Sequence, residues 1–217
     1  MRKVFDEELQ DLHNILLRMG SVVEQQIYLC IESLVNQDIE QAEEIIKNDD
    51  IVDDLQKQIE DRSIKLIAMQ QPLATDLRNI FTATKIAADL ERMADHAVDI
   101  AKITKRLRKE VYIKELVKIP VLADLVKEMI KESLDAYVQG NVDKAYKASK
   151  IDNEIDKICK SIFEEMLLLM ADDPSSVTQA TQFLFVYKFL ERTAAHATNI
   201  CECTIYLVTG EQVDLND

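Results

Sequence analysis

From Arg2 to Asn36 apolar residues return every three or four positions: Phe5, Leu9, Leu12, Leu16, Met19, Val23, Ile27 and Ile31. That spacing lays one stripe along a 3.6-residue helix, and it predicts a first helix over the whole stretch. Gly20 falls inside it at some cost in helix propensity. His13 lies near the stripe and reads as a packed surface histidine rather than a ligand. Asp38 is placed to cap a second helix, with Gln41 at the capping-box position. Ile39, Ala42, Ile45 or Ile46, Val52, Leu55, Ile59 and Leu66 mark its inward side. It runs unbroken to Gln70, and Pro72 ends it.

A third helix is predicted from Leu73 to Lys109. One stripe carries Leu77, Ile80, Phe81, Thr84, Ala88, Glu91, Asp95 and Asp99, and a neighbouring one carries Ala83, Ile86, Leu90, Ala94, Ala97, Ile100 and Leu107. Its last turns are basic, which suits the negative end of the helix dipole. A connector with a frayed helix is expected from Glu110 to Ile119. A fourth helix follows Pro120 and closes at Gly140, a suitable residue just beyond a helix end. Asn141 caps a fifth, which reaches Ala171. Asp173-Pro174 then opens a sixth, proline being favoured at a first helical position; it ends at Gly210. The tail from Glu211 to Asp217 is expected to be loose.

The six helices fall into two sets of three. Leu90-Glu91-Arg92-Met93-Ala94-Asp95-His96-Ala97-Val98-Asp99-Ile100 returns 100 positions later as Leu190-Glu191-Arg192-Thr193-Ala194-Ala195-His196-Ala197-Thr198-Asn199-Ile200, with 7 of 11 positions identical. Shared amphipathicity does not reproduce Glu, Arg and His at one offset, so the chain is an internal repeat. The second and fifth helices align at an offset of 103. Short loops force neighbouring helices antiparallel. The prediction is therefore an all-α chain of two tandem up-down-up three-helix bundles, residues 1–110 and 111–217.

Composition agrees. Gly and Pro occur three times each in 217 residues, which leaves little for the tight turns of a sheet protein. The net charge of −14 opposes nucleic acid, whose binding rests on neutralising phosphates with Lys and Arg. It also opposes anionic lipid, and suits cations or a basic partner. The opening Met1 to Glu8 lacks the apolar core of a signal peptide. The strongest apolar run, Met166 to Ala171, is far short of the roughly 20 residues of a membrane span. A cytoplasmic protein without direct membrane insertion is expected. Cys30, Cys159, Cys201 and Cys203 read as buried free thiols; the last two lie about 200° apart on a helix and cannot share one ion.

The chemistry lies in carboxylates. Glu91, Asp95 and Asp99 share one helix face by their i, i+4, i+8 spacing. Asp49 and Asp53 repeat the spacing on the preceding helix. Two carboxylates about 5 Å apart repel by about 3 kcal/mol at an effective dielectric near 20. Nearby Arg or Lys could offset that, and so could a metal. Oxygen-only ligation favours Mg²⁺, Ca²⁺, Mn²⁺ or iron, and zinc accepts it too. The second repeat keeps Asp152, Asp156 and Glu191, but Ala195 and Asn199 replace its other two acids, so weaker binding or fewer ions are expected there. The repeated His96 and His196 lie five residues beyond Glu91 and Glu191. The Glu-x-x-His pair of di-iron bundles is missing, and both histidines read as packing or supporting groups. No glycine-rich phosphate loop or Gly-x-Ser-x-Gly elbow occurs. Arg92 and Arg192 could pair with the acidic groups or meet a partner.

At these residues the chain resembles the PhoU family of phosphate-uptake regulators. The likeness includes the Phe5 to Met19 pattern, Met69-Gln70-Gln71-Pro72-Leu73-Ala74-Thr75-Asp76-Leu77-Arg78, both Leu-Glu-Arg copies and the Ile205-Tyr206-Leu207-Val208-Thr209-Gly210 close. It implies two three-helix bundles whose Glu/Asp-x-x-x-Asp motifs hold multinuclear iron or zinc clusters. Here these motifs fall on Asp49 and Asp53, Glu91 and Asp95, Asp152 and Asp156, and Glu191. It further implies a cytoplasmic, non-enzymatic, usually homodimeric negative regulator that acts between the ATPase of a phosphate ABC transporter and a phosphate-responsive sensor histidine kinase. The alternative is a helical accessory protein of a different phosphate or metal transporter.

Overall fold

A computed structural model describes residues 2–70 and 72–215. Gln71 of the Pro72 motif, the first residue and the last two of the acidic tail lie outside the described residues. The order is α1 (Arg2–Asn36), α2 (Ile39–Lys47), α3 (Asp50–Gln70), α4 (Ala74–Leu107), α5 (Lys118–Gln139), α6 (Val142–Ser149), α7 (Asp152–Asp172), a 3₁₀ turn (Pro174–Ser176) and α8 (Val177–Thr209). No strand occurs among the described residues. Each repeat has three helical arms, with α5 answering α1, α6 and α7 answering α2 and α3, and α8 answering α4.

The predicted caps are in place. The Asp38 carboxylate accepts from the Gln41 amide at 3.0 Å, and Asn141 accepts from the Lys144 amide at 3.0 Å. Asp173 accepts from the amide of Ser175 and opens the 3₁₀ turn that leads into α8. Gly140 and Gly210 adopt φ of 57° and 80°, the left-handed region that glycine enters without a Cβ clash. All four cysteines are buried free thiols.

Two expectations are corrected. Each middle arm, read as one helix, is two helices: the chain leaves helical geometry at Asn48–Asp49 and at Lys150–Ile151. The Asn48 amide closes α2 on the carbonyls of Glu44 and Ile45, and α3 restarts at Asp50. The apolar stripe does not register the break, because Ile45 and Val52 are both buried, as are Ala148 and Ile155. The connector, expected to hold a frayed helix, has none before Lys118. Its polar groups bond elsewhere: Tyr112 donates to the Leu34 carbonyl at 2.7 Å, and the Ile113 amide donates to Gln179 at 2.6 Å.

The two repeats share one core. A single apolar cluster joins Leu12, Leu16, Leu90 and Ile100 of the first to Leu122, Ile162, Phe183 and Leu190 of the second. The α4 and α8 arms pack along one another, and α1 packs on both α4 and α5. At Gly20 the α1 surface comes so close to α5 that a Cβ there would sit 2.5 Å from Leu134 Cδ1. The core thus holds the third arms of both repeats side by side and sets the carboxylates of each against its own middle arm.

Candidate metal centre

In the first repeat the break in the middle arm places Asp49 in the turn before α3, not on a helix, while Asp53 lies in the first turn of α3. The i, i+4 helical pairing predicted for Asp49 and Asp53 is therefore replaced by a turn that leads into a helix. The pair still faces α4. Burial raises the Asp49 carboxyl above its ordinary range, the charges of Asp53 and Asp95 push it further, and Lys102 opposes them. Burial likewise raises Glu91; Asp95 adds to it, Arg92 opposes, and Asp53 and Asp49 add again. Four of the predicted residues therefore share one electrostatic field. Arg92 bridges two of them, 3.4 Å from Glu91 and 3.1 Å from Asp95. Asp99, the fifth, is paired instead with Lys102 at 3.0 Å.

The second repeat assembles a smaller set. Asp152 opens α7, and burial together with the Asp156 and Glu191 charges pushes it up to about 6. Lys188 pairs with Glu191 at 2.8 Å. Because folding raises this carboxyl from 3.8, its contribution to stability is complete below about pH 4 and is lost as pH rises through 6. Half-exposure limits the effect to about 1 kcal/mol. Asp152→Asn in a chelating buffer should therefore melt roughly 2–4 °C higher than the parent at pH 7.5 and together with it at pH 4; equal melting at both pH values would contradict this.

The repeated histidines do not join the carboxylates. They meet each other on the α4–α8 seam, with ring centroids 5.7 Å apart. His96 is buried, stacks on Phe189 and shares a 3.1 Å hydrogen bond with the Thr193 hydroxyl. Its surroundings push its pKa down to about 4, burial most and then the neighbouring His196, so it is neutral near pH 7. His196 instead meets Asp89 at 2.8 Å, and Asn199 donates to the same carboxylate oxygen at 2.9 Å. Asp89 escaped sequence reasoning because its repeat counterpart is Phe189, so the repeat gave it no weight. Asn199 substitutes for the acid at the Asp99 position and serves this cross-repeat bond.

As a donor set, Asp49, Asp53, Glu91 and Asp95 are all-oxygen and mutually repelling, which fits a hard or borderline cation. They are not preassembled: among the described residues no group of three or more His, Cys, Asp or Glu side chains is arranged to hold one ion. Arg92, 62% exposed at its side chain, takes part of their charge, and exposed ion pairs of this kind contribute only about 0–1 kcal/mol. The carboxylates fit a metal in kind, and Glu91 and Asp95 would have to turn away from Arg92 to hold one.

The class defined here is an all-helical tandem repeat on one core, with an acidic cluster where the middle and third arms of each half meet. The model of the PhoU domain matches residues 16–104 and again 119–204, and the chain belongs to the PhoU family. It is 58% identical over 217 residues to the phosphate-specific transport system accessory protein PhoU homolog of Clostridium acetobutylicum, covering 100% of this chain and 99% of that one. The Rhizobium meliloti homolog of the same description is 39% identical, covering 96% and 88%. The crystal structure of the phosphate transport system regulatory protein PhoU from Streptococcus pneumoniae superposes with a TM-score of 0.91 at 33% identity, covering 97% of this chain and 99% of that one. PhoU from Pseudomonas aeruginosa gives 0.91 at 31%, covering 95% and 100%.

Proposed function

We propose that the protein is a non-enzymatic negative regulator of phosphate uptake, acting as an adaptor between a phosphate ABC transporter ATPase and a phosphate-responsive sensor histidine kinase. The observation that carries this reading is full-length likeness, at 58% identity, to a phosphate-specific transport accessory protein. Exposed apolar residues support a docking role. Ile64, Ile67 and Phe81 lie open on α3 and α4, and Phe163, Leu168 and Phe185 on α7 and α8, a distribution that suits partner contact. No helix among the described residues is long and apolar enough to cross a membrane, and the adaptor would work from the cytoplasm, as a homodimer. Deleting the gene should leave phosphate-starvation genes switched on in phosphate-rich medium. Normal repression with impaired transport would instead favour an accessory role at another transporter.

In the same reading, Asp49, Asp53, Glu91 and Asp95 hold an iron or zinc cluster, and Asp152, Asp156 and Glu191 a lesser site. A bound cation would neutralise the acidic field and fix the middle arm against α4. Glu91→Ala/Asp95→Ala should lose at least half of the metal found by elemental analysis of tag-free protein. An unchanged metal content would remove the first cluster from the proposal.

A further inference from the structure

The tail beyond Gly210, expected to be loose, is seated on the second repeat. It turns back along α8, and the Leu215 amide donates to the Glu202 carboxylate, 13 positions earlier, at 2.8 Å. Gln212 and Asp214 are exposed, while Val213 and Leu215 are half-buried. That alternation marks an extended segment, whose side chains point to opposite faces by turns. The two inward residues pack on a small apolar cluster of Ala136 from α5, Ala145 and Ala148 from α6, and Cys201 and Ile205 from α8. This cluster is separate from the core that joins the repeats.

Small side chains make the hollow that the tail fills. In the first repeat the positions of Ala148 and Ile205 are held by Ile45 and Lys105, a larger apolar group and a cation paired with Glu43 at 3.0 Å. The tail is held lightly. Half-buried side chains contribute less than fully buried ones, and charge works against them. Burial raises the Glu202 carboxyl above its ordinary range; the Leu215 amide draws it back, while Asp214 and Asp89 repel it against the pull of Lys85. Segments secured by few buried contacts open at low cost in free energy.

We propose that residues 211–215 are a detachable strap, and that the hollow on α5, α6 and α8 is a binding site for an extended segment with apolar residues at alternate positions, filled here by the chain's own tail. Such a segment offers two apolar side chains on one face and a backbone amide to Glu202. Gly210 is the hinge. Its φ of 80° is one that glycine enters freely, and its amide closes α8 on the Tyr206 carbonyl at 2.8 Å, so the strap lifts without unwinding the helix. Lifting uncovers Cys201 in the cluster. It also uncovers Cys203, which lines a cavity of about 460 Å³ together with Gln212 and Val213. Cys30 and Cys159 lie in the main core. The inference does not depend on the phosphate-regulator reading.

The test is thiol labelling of the full-length protein with N-ethylmaleimide, followed at each cysteine by mass spectrometry. Burial pushes all four thiols above their ordinary range, so each reacts only when its cover lifts. In Val213→Asp/Leu215→Asp, Cys201 and Cys203 should react about tenfold faster or more than in the parent, with Cys30 and Cys159 unchanged. A chain ending at Gly210, which places no new charge near the cluster, should behave alike. A synthetic peptide spanning Glu211 to Asp217 should then slow Cys201 and Cys203 in the shortened chain, and the same peptide with Asp in place of its Val and Leu should not. Three results overturn the proposal: Cys201 and Cys203 react no faster in either variant; all four thiols quicken together in both, which makes the tail part of the folded core rather than a strap; or the peptide leaves the rates unchanged.

Discussion

Gly20→Leu should destabilise the protein by about 2–3 kcal/mol, because overpacking a filled core forces side chains off their rotamers. For a chain of this length that lowers the melting temperature by roughly 4–12 °C. The cause is local. A Cβ at Gly20 would already sit 2.5 Å from Leu134 Cδ1, and a whole isobutyl group has nowhere to go between α1 and α5. Gly20→Ala is the contrasting case. It displaces one terminal methyl of Leu134 but gains roughly 1 kcal/mol of helix propensity, so its melting point should stay close to the parent's. Calorimetry on the two variants checks the pair. A leucine variant as stable as the parent would mean that α1 and α5 do not approach closely at this point.

Asp89→Ala should be the other large loss, about 2–3 kcal/mol. His196 Nδ1 at 2.8 Å and Asn199 Nδ2 at 2.9 Å would both lose their acceptor. The Asp89 side chain is only 16% exposed, so water replaces it poorly. Asp89→Asn keeps a carbonyl and should recover part of the loss. Adding His196→Leu to Asp89→Ala should cost less than the two single losses together, because neighbours that share one bond are not additive. Urea titrations of the four proteins read this directly, and strict additivity would show that the bond across the repeats contributes nothing.

Much of this architecture was legible in the sequence, for physical reasons. Long amphipathic stripes, Asp38 and Asn141 as caps, and Gly140 and Gly210 as stops are local signals, and each is where local chemistry put it. The duplication was legible because Glu, Arg and His recur together at one offset. The breaks in the middle arms were not. A two-residue turn between Ile45 and Val52 leaves both side chains inward, so hydrophobic periodicity is blind to it. The same turn removed Asp49 from the helix on which its spacing to Asp53 was read. The grouping of Asp49, Asp53, Glu91 and Asp95 was readable because the middle and third arms had to be neighbours. The separate pairing of Asp99 was not, since it depends on where the Lys102 ammonium lies. Gly20 looked like a modest loss of propensity; only the packing of α5 shows why a side chain is excluded there. Asp89 was overlooked because the cross-repeat bond it makes has no counterpart in the other half.

The core that runs through both repeats has a consequence for how the molecule could come apart. A cut in the 110–117 connector would not release two independent bodies. Each fragment would bare the oily flank that now adjoins its sibling, and water strongly disfavours that exposure. The fragments would stay clasped together or precipitate. The duplicated halves, similar as they are, have become mutually dependent.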